Sequence, residues 1–384
     1  MASPKFYVAS PNGDRTGGPE CLHQLVDAIR RRGVEAHIIP MYNFRGRRPD
    51  PEYDVYDYDV VEKMPHTDDS FLVIGEVSPL ESYLELLRTP KERTWMWLLS
   101  VHNSPDPRAR YFRGSGSCCV TDPRPDGVPL DAPRPALPPV RVPMPPDAID
   151  TRWFPLAREA VRRKGPARLT DGSARAVAIE TIGLRFNKYV MESSIGFMAQ
   201  SVYAQGFCRS VLGREALPLT DYLRRPDIAV QERLQNVVLY NGAKGYSKVP
   251  ELIRLLPDVE FRPIQNMSYM EVCLALGQAT AYVELGVPPG RDRLPREAAH
   301  FGTPIVLLCR GAAYCWDDFP IPAKYRIADE PGWAECMAPV IREVVANPHA
   351  AVEDQLPFHD WVSGDRDRYE IEVDAWLEAA LKRQ

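Results

Sequence analysis

Two separate stretches of this chain alternate short apolar runs with amphipathic ones, and that alternation restricts the fold more than any other feature. An apolar run at 5–9 is followed by the turn Gly17-Gly18-Pro19-Glu20, then by a segment with Leu22, Leu25, Val26 and Ile29 on one face. Proline is at home at the first position of a helix, and a glycine just past the last periodic residue ends one. A helix is therefore expected to start at Gly18 and stop at Gly33, with a second strand at 34–41. Further strands are expected at 71–75 and 95–101, the first of them followed by "GEVSPLE", in which Ser78, Pro79 and Glu81 read as a helix start. The same order restarts at 236–240, 259–264, 281–285 and 304–308, with Ser268 and Glu271 forming a capping box before one helix. Strand and helix in alternation imply parallel sheets covered on both faces. Two such runs in one chain imply two Rossmann-like α/β domains facing a cleft.

The expected organisation is an N-terminal domain over residues 1–225, a C-terminal domain over 226–360, and a terminal helical segment, 361–384, returning to the first domain. "ALPLTDYLRRPDIAVQERL" reads as the crossing, and closing helices are expected at 332–346 and 371–382. Residues 122–147 contain ten prolines and can form neither helix nor central strand, so they read as a long surface loop of the first domain.

Composition narrows the classes. A chain of 384 residues with net charge −5 lacks the basic field of a duplex-binding protein, so nucleic acid is not an expected partner. Its start has no secretory pattern, and no run approaches the roughly 18 apolar residues of a membrane span, so cytoplasmic residence is expected. Eight cysteines lie scattered without a CxxC pair, which reads as reduced thiols rather than disulfides or a zinc site. Asp57-Tyr58-Asp59 makes a short acidic motif, but outside the central-strand context a metal site needs. No metal or other cofactor is expected.

The richest chemistry lies in "GVPPGRDRLPREAAHFGTPIV", residues 286–306. Arg291, Arg293 and Arg296 crowd the start of a helix, where unpaired N–H groups already favour an anion. Gly290 permits close backbone approach, Asp292 can cap, and Glu297 lies one turn in, where a carboxylate can hold two vicinal sugar hydroxyls. "NGAKG", with Lys244, sits at the end of another strand of the same domain. Cations for a diphosphate and an acid for a ribose together describe a nucleotide.

With these residues in place, the order strand–"NGAKG"–helix, strand–"QNMSYMEV"–helix, strand–"GRDRLPREAAHFGTPIV" resembles the donor-binding domain of GT-B glycosyltransferases, closest to the bacterial group of polysaccharide and glycoconjugate biosynthesis. "TGGPECLHQLVDAIRRRGVEAHII" is similar to the amino-terminal Gly-Gly loop and first helix of that superfamily. The resemblance implies an acceptor domain first, a donor domain second, and a metal-independent transfer from a nucleoside-diphosphate sugar, UDP among the candidates, to a glycan, lipid-linked or small-molecule acceptor. It implies that Gly17 and Gly18 approach the diphosphate, that Lys244 with Arg291 or Arg293 neutralises it, and that Glu297 holds the ribose. It places Gln265, Asn266 and Met267 against the nucleobase and His102 beside the transferred sugar. For an acceptor base His102 comes first and Glu76, at a strand end, second. Pro289 stands where the common pattern carries an acid near the donor sugar, and Asn241 where an arginine is frequent. Two other readings stand beside it: a nucleotide-sugar epimerase of the same shape, which would need a pair of acids the sequence does not clearly offer, and a catalytically degenerate nucleotide- or glycan-binding subunit, to which Pro289 in place of an acid points.

Overall fold

The computed structural model describes residues 3–11, 16–41, 48–76, 89–103, 112, 194–226, 228 and 232–383. The proline-rich loop at 122–147 and the capping sequence at 78–81 lie outside them.

The first domain is built on a six-stranded parallel sheet in the order β2-β1-β3-β4-β5-β6. Its strands are β1 (Lys5–Pro11), β2 (Glu35–Met41), β3 (Ser70–Gly75), β4 (Thr94–Leu98), β5 (Gly196–Ala199) and β6 (Leu217–Pro218). The runs of β3 and β4 are buried throughout, as continuous apolar sequence between two helical layers requires. Helix α1 (Gly17–Arg31) buries Leu22, Leu25, Val26 and Ile29 and ends at Gly33, whose φ of 73° is the left-handed conformation that favours glycine. After β5, Ser201 caps a short helix, α2 (Val202–Phe207).

The second domain carries a five-stranded parallel sheet in the order β11-β10-β9-β7-β8. Its strands are β7 (Val237–Asn241), β8 (Glu260–Ile264), β9 (Ala281–Glu284), β10 (Ile305–Cys309) and β11 (Arg326–Ala328). Between them run α3 (Val249–Leu255), α4 (Tyr269–Gln278) and α5 (Arg293–His300). The capping box of Ser268 and Glu271 opens α4 as the sequence predicts. In both sheets the chain reverses its direction of growth beside the first strand, and the crevice outside the strand ends at such a point is where open α/β sheets take ligands.

Helices α6 (Trp333–Ala346), α7 (Pro348–Asp354), α8 (Leu356–Ser363) and α9 (Asp365–Leu381) close the chain. The last packs on the first domain: the Trp376 ring meets Phe6 at 5.4 Å and Trp95 at 6.0 Å. Arg31 at the end of α1 and Arg32 just after it bind Glu370 of α9 at 2.8 and 2.9 Å. Trp95 and Trp97 are both buried, and the Trp97 indole donates to the Leu219 carbonyl at 2.9 Å. Helix α9 starts at Asp365, earlier than its apolar periodicity predicts, because its first turn buries a charged residue rather than an apolar one.

That residue anchors a buried ion-pair network joining the domains. Asp365 binds Arg291 at 2.7 Å and Arg296 at 3.2 Å, and Arg296 also binds Asp221 at 2.8 Å. Arg293 pairs with Glu20 of α1, which Arg224 holds at 2.6 Å. Removing one partner of a buried pair leaves the other charge without compensation and destabilises strongly. Asp365→Ala, which strands the buried guanidinium of Arg291 and leaves Arg296 with Asp221 alone, is expected to lower the unfolding free energy by about 3–5 kcal/mol, read by urea denaturation.

Candidate functional site

A cavity of about 660 Å³ opens between the domains. Ser100 and His102 line it from the first domain, just past the end of β4. From the second come Ala243, Lys244 and Gly245 after β7, Val287 and Pro289 after β9, Arg310 and Tyr314 after β10, and Asp329 after β11. Every lining segment thus follows the carboxyl end of a parallel strand.

The loops reach these places through backbone chemistry. In the turn after β7, Asn241 Oδ1 accepts from the Ala243 N–H at 2.9 Å and the Lys244 N–H at 3.2 Å. Gly245 has φ 79°, and a Cβ there would lie 2.4 Å from the Leu285 carbonyl carbon, so only glycine fits against the loop after β9. That loop presses on the first domain: a Cβ on Gly290 would stand 3.0 Å from Gln200 Oε1 and 3.1 Å from the Leu99 carbonyl. Across the same seam the Val101 N–H donates to the Pro289 carbonyl at 3.2 Å. His102 sits in the short turn that this bond holds.

Of the residues singled out in the sequence, the structure brings His102 and Lys244 onto one cavity. Lys244 Nζ binds Asp292 at 2.8 Å, so Asp292 holds the lysine rather than capping α5, at whose N-cap it stands. Arg291 and Arg293 are directed elsewhere. Arg291 is buried on Asp365 and Arg293 spans Glu20 and Glu297, at 3.3 Å from the latter. The cationic bend of the sequence is thus a set of arginines balanced by carboxylates from α1, α9 and the crossing, and neither arginine lines the cavity. Glu297 is buried beside Arg293, with burial pushing its carboxyl up. Gly17 makes its close approach to Arg293 Cδ, 2.9 Å from where a Cβ would stand, whereas Gly18 has nothing within 4 Å of that position. Gln265, Asn266 and Met267 follow β8, with Asn266 at φ 55° and Met267 exposed. Asp57 and Asp59 bind Arg30 at 2.9 and 3.0 Å.

Glu76 is not on the cavity. Its carboxylate accepts from the Leu99 N–H at 2.7 Å and from the Ser100 N–H, bracing the turn that carries His102. Glu284, at the end of β9, plays the matching part opposite, accepting from the Tyr282 hydroxyl at 2.8 Å and the Gly286 N–H at 2.7 Å.

Among the described lining residues that the sequence reading did not single out are Arg310, Tyr314 and Asp329. Arg310 Nε binds Asp329 at 2.9 Å, and Lys248 binds the same carboxylate at 2.8 Å. Arg310 stood at the end of an expected strand and could have been flagged on that ground. Asp329 follows β11, whose three residues are too short to show a pattern.

Comparison with solved structures follows this geometry. Medicago truncatula UGT71G1 complexed with UDP-glucose superposes with a TM-score of 0.50 at 11% identity, covering 98% of each chain. A glycosyltransferase from Rickettsia africae gives a TM-score of 0.55 at 10% identity, covering 100% of this chain and 99% of the other. The chain has the GT-B fold. No protein-family model matches the sequence, and no curated protein matches it. Identities this low speak for the shared GT-B architecture, and the chemistry has to come from the cavity itself. No helix among the described residues is long and apolar enough to cross a membrane.

Burial pushes the carboxyls of Glu76 and Glu284 each up to about 7, Asp292 adding to the effect at Glu284. The unfolded groups ionise at the ordinary value of 4.5, so between that pH and about 7 the native state holds protons that the unfolded chain has released. Their contribution to stability therefore falls as pH rises through that window and is flat above it. In Glu284→Gln the amide keeps an acceptor for Gly286 and a donor for the Tyr282 oxygen. It is expected to flatten the slope of stability between about pH 5 and 8 and to raise the unfolding free energy at pH 8 by about 2 kcal/mol, followed by denaturant titration at each pH.

Proposed function

We propose that this protein is a glycosyltransferase that moves a sugar from a nucleoside-diphosphate sugar to a hydroxyl of a glycan, lipid-linked or small-molecule acceptor, without a metal. One observation carries the reading: His102 from the first domain and Lys244 and Arg310 from the second line a single cavity at the strand ends of a GT-B fold. Transfer requires that negative charge developing on the departing diphosphate be met by fixed cations, while the acceptor oxygen loses a proton. Lys244 and Arg310 supply the cations. Each is partly exposed and balanced by one neighbouring carboxylate, so it can turn to a ligand phosphate without being drawn out of a buried pair.

As the acceptor oxygen bonds to the anomeric carbon, the bond from that carbon to the phosphate oxygen breaks and its electrons stay on the diphosphate. His102 takes the acceptor proton. The nucleoside end is assigned to Gln265, Asn266 and Met267 after β8, with Glu297 for the ribose and the Gly17-Gly18 turn closing over the donor. UDP-glucose, the ligand of the Medicago truncatula structure, is the first donor to try.

Lys244→Ala and Arg310→Ala are each expected to weaken UDP binding by about 10-fold or more, measured by calorimetry, since a charge-assisted contact to phosphate is lost. His102→Ala is expected to leave UDP affinity within about twofold while lowering transfer by about 10²-fold or more across a panel of UDP-, GDP-, TDP-, CDP- and ADP-sugars. Unchanged UDP affinity in both cation variants would place the diphosphate elsewhere.

A further inference from the structure

His102 is held from behind by groups that the proposed chemistry does not use. Its Nε2 lies 2.7 Å from the hydroxyl of Tyr203, whose ring stands edge-on to the imidazole at 5.5 Å and 87°. Tyr203 is fully buried, packs on Phe112 at 4.9 Å, and its hydroxyl lies 3.5 Å from the Phe112 carbonyl. Tyr203 belongs to α2, and the start of that helix is capped from the other domain. Asp318 Oδ1 accepts from the Val202 N–H at 2.8 Å and Oδ2 from the Tyr203 N–H at 2.9 Å. Asp318 is itself buried, at 1% exposure, which fixes both bonds in a dry seam.

We propose that Tyr203 is the positioning residue of His102, and that Asp318 makes this positioning conditional on the second domain being docked. A phenol is suited to the task because it can serve both protonation states of the ring. With its own hydrogen turned towards the Phe112 carbonyl, it accepts from Nε2–H in the neutral and the charged ring alike, which leaves Nδ1 bare in the neutral ring to take the acceptor's proton. The imidazole therefore gains and loses a proton without losing its orientation. The inference rests on the reading of His102 as the acceptor's base. It adds how the base is aimed, and why the aim is reached only when Asp318 of the second domain lies against α2.

Charged and titratable groups on every side of the ring bear on the test. Asp318 stands behind Tyr203, Glu76 braces the turn below, and Lys244, Arg310, Asp329 and Tyr314 line the cavity with His102. None of them changes in Tyr203→Phe, which removes one hydroxyl and keeps the ring that packs on Phe112. The first measurement needs no substrate. In 15N-labelled protein, the ring-nitrogen resonances of His102, assigned through His102→Gln, are expected to shift in Tyr203→Phe and in Asp318→Ala, with melting temperature within a few degrees of wild type for the former.

The second measurement uses the donor turned over in the panel above. Tyr203→Phe is expected to lower kcat by about 10-fold with the donor KM within about twofold, because orientation is lost and binding is not. The acid limb of kcat against pH is expected to move to lower pH, since the bond lost is stronger to the protonated ring than to the neutral one. Unmoved His102 resonances in Tyr203→Phe overturn the positioning role, whatever the enzyme transfers. Moved resonances with undiminished transfer in His102→Gln retain the Tyr203 contact and overturn the base assignment instead. A shift in Tyr203→Phe but none in Asp318→Ala removes the coupling to the second domain.

Discussion

The arrangement depends on a set of buried ion pairs that ties the second domain to the first. Arg291, Arg293 and Arg296 arise from one bend and helix of the second domain, and their partners Glu20, Asp221 and Asp365 come from α1, the crossing and α9. Charges taken out of water are tolerated only where each is matched, and a match drawn from three separate segments exists only when those segments are docked. The seam therefore has one geometry, and the cavity beside it inherits that geometry.

The division of labour among cations follows. Arginine's rigid fork suits buried, multiply bonded pairs, and Arg296 is used in that way, on Asp221 and Asp365 at once, while Arg291 is buried on Asp365 and the part-buried Arg293 spans Glu20 and Glu297. Lys244 and Arg310, at the edge of the cavity, each keep a single carboxylate partner and some access to solvent. Availability for a ligand anion is thus decided by what else lies within reach of each guanidinium or ammonium, not by the density of positive charge along the chain. The same holds for acids. Glu76 and Glu284 stand at strand ends facing the cleft, yet both spend their oxygens on backbone N–H groups of the loops that carry the lining residues. They shape the site from behind.

The site is also built across the seam rather than within one half. His102 meets the hydroxyl of Tyr203, Tyr203 is carried by α2, and the first N–H groups of that helix bind Asp318 of the opposite domain. The turn of His102 is held by Glu76 on one side and by the carbonyl of Pro289 on the other. Pro289, which stands where an acid is frequent, thus contributes a main-chain acceptor to the contact between domains. On the proposed reading of His102 as the base, an aim that requires both domains in place suits a transfer that must exclude water until donor and acceptor are enclosed.

The alternation of strand and helix, the two parallel sheets and the first helix were legible in the amino-acid sequence because local patterns report them directly. Continuous apolar runs mark strands buried on both faces, Leu22 to Ile29 mark one helical face, and Gly33, Ser268 and Glu271 mark helix ends through their own backbone bonds. Lys244, from its turn after a strand, and His102, through the family resemblance, were named from the sequence, and both lie on the cavity because residues just past strand ends face the cleft in such folds. Sequence could not show that Arg291 and Arg293 are already neutralised, because Glu20 and Asp365 lie far from them along the chain and meet them only on folding. It could not single out Asp329 or Tyr203 either, whose places come from distances to other elements. Local periodicity settles which segments become strand or helix; which charges face each other is a property of long-range packing, and only the folded chain decides it.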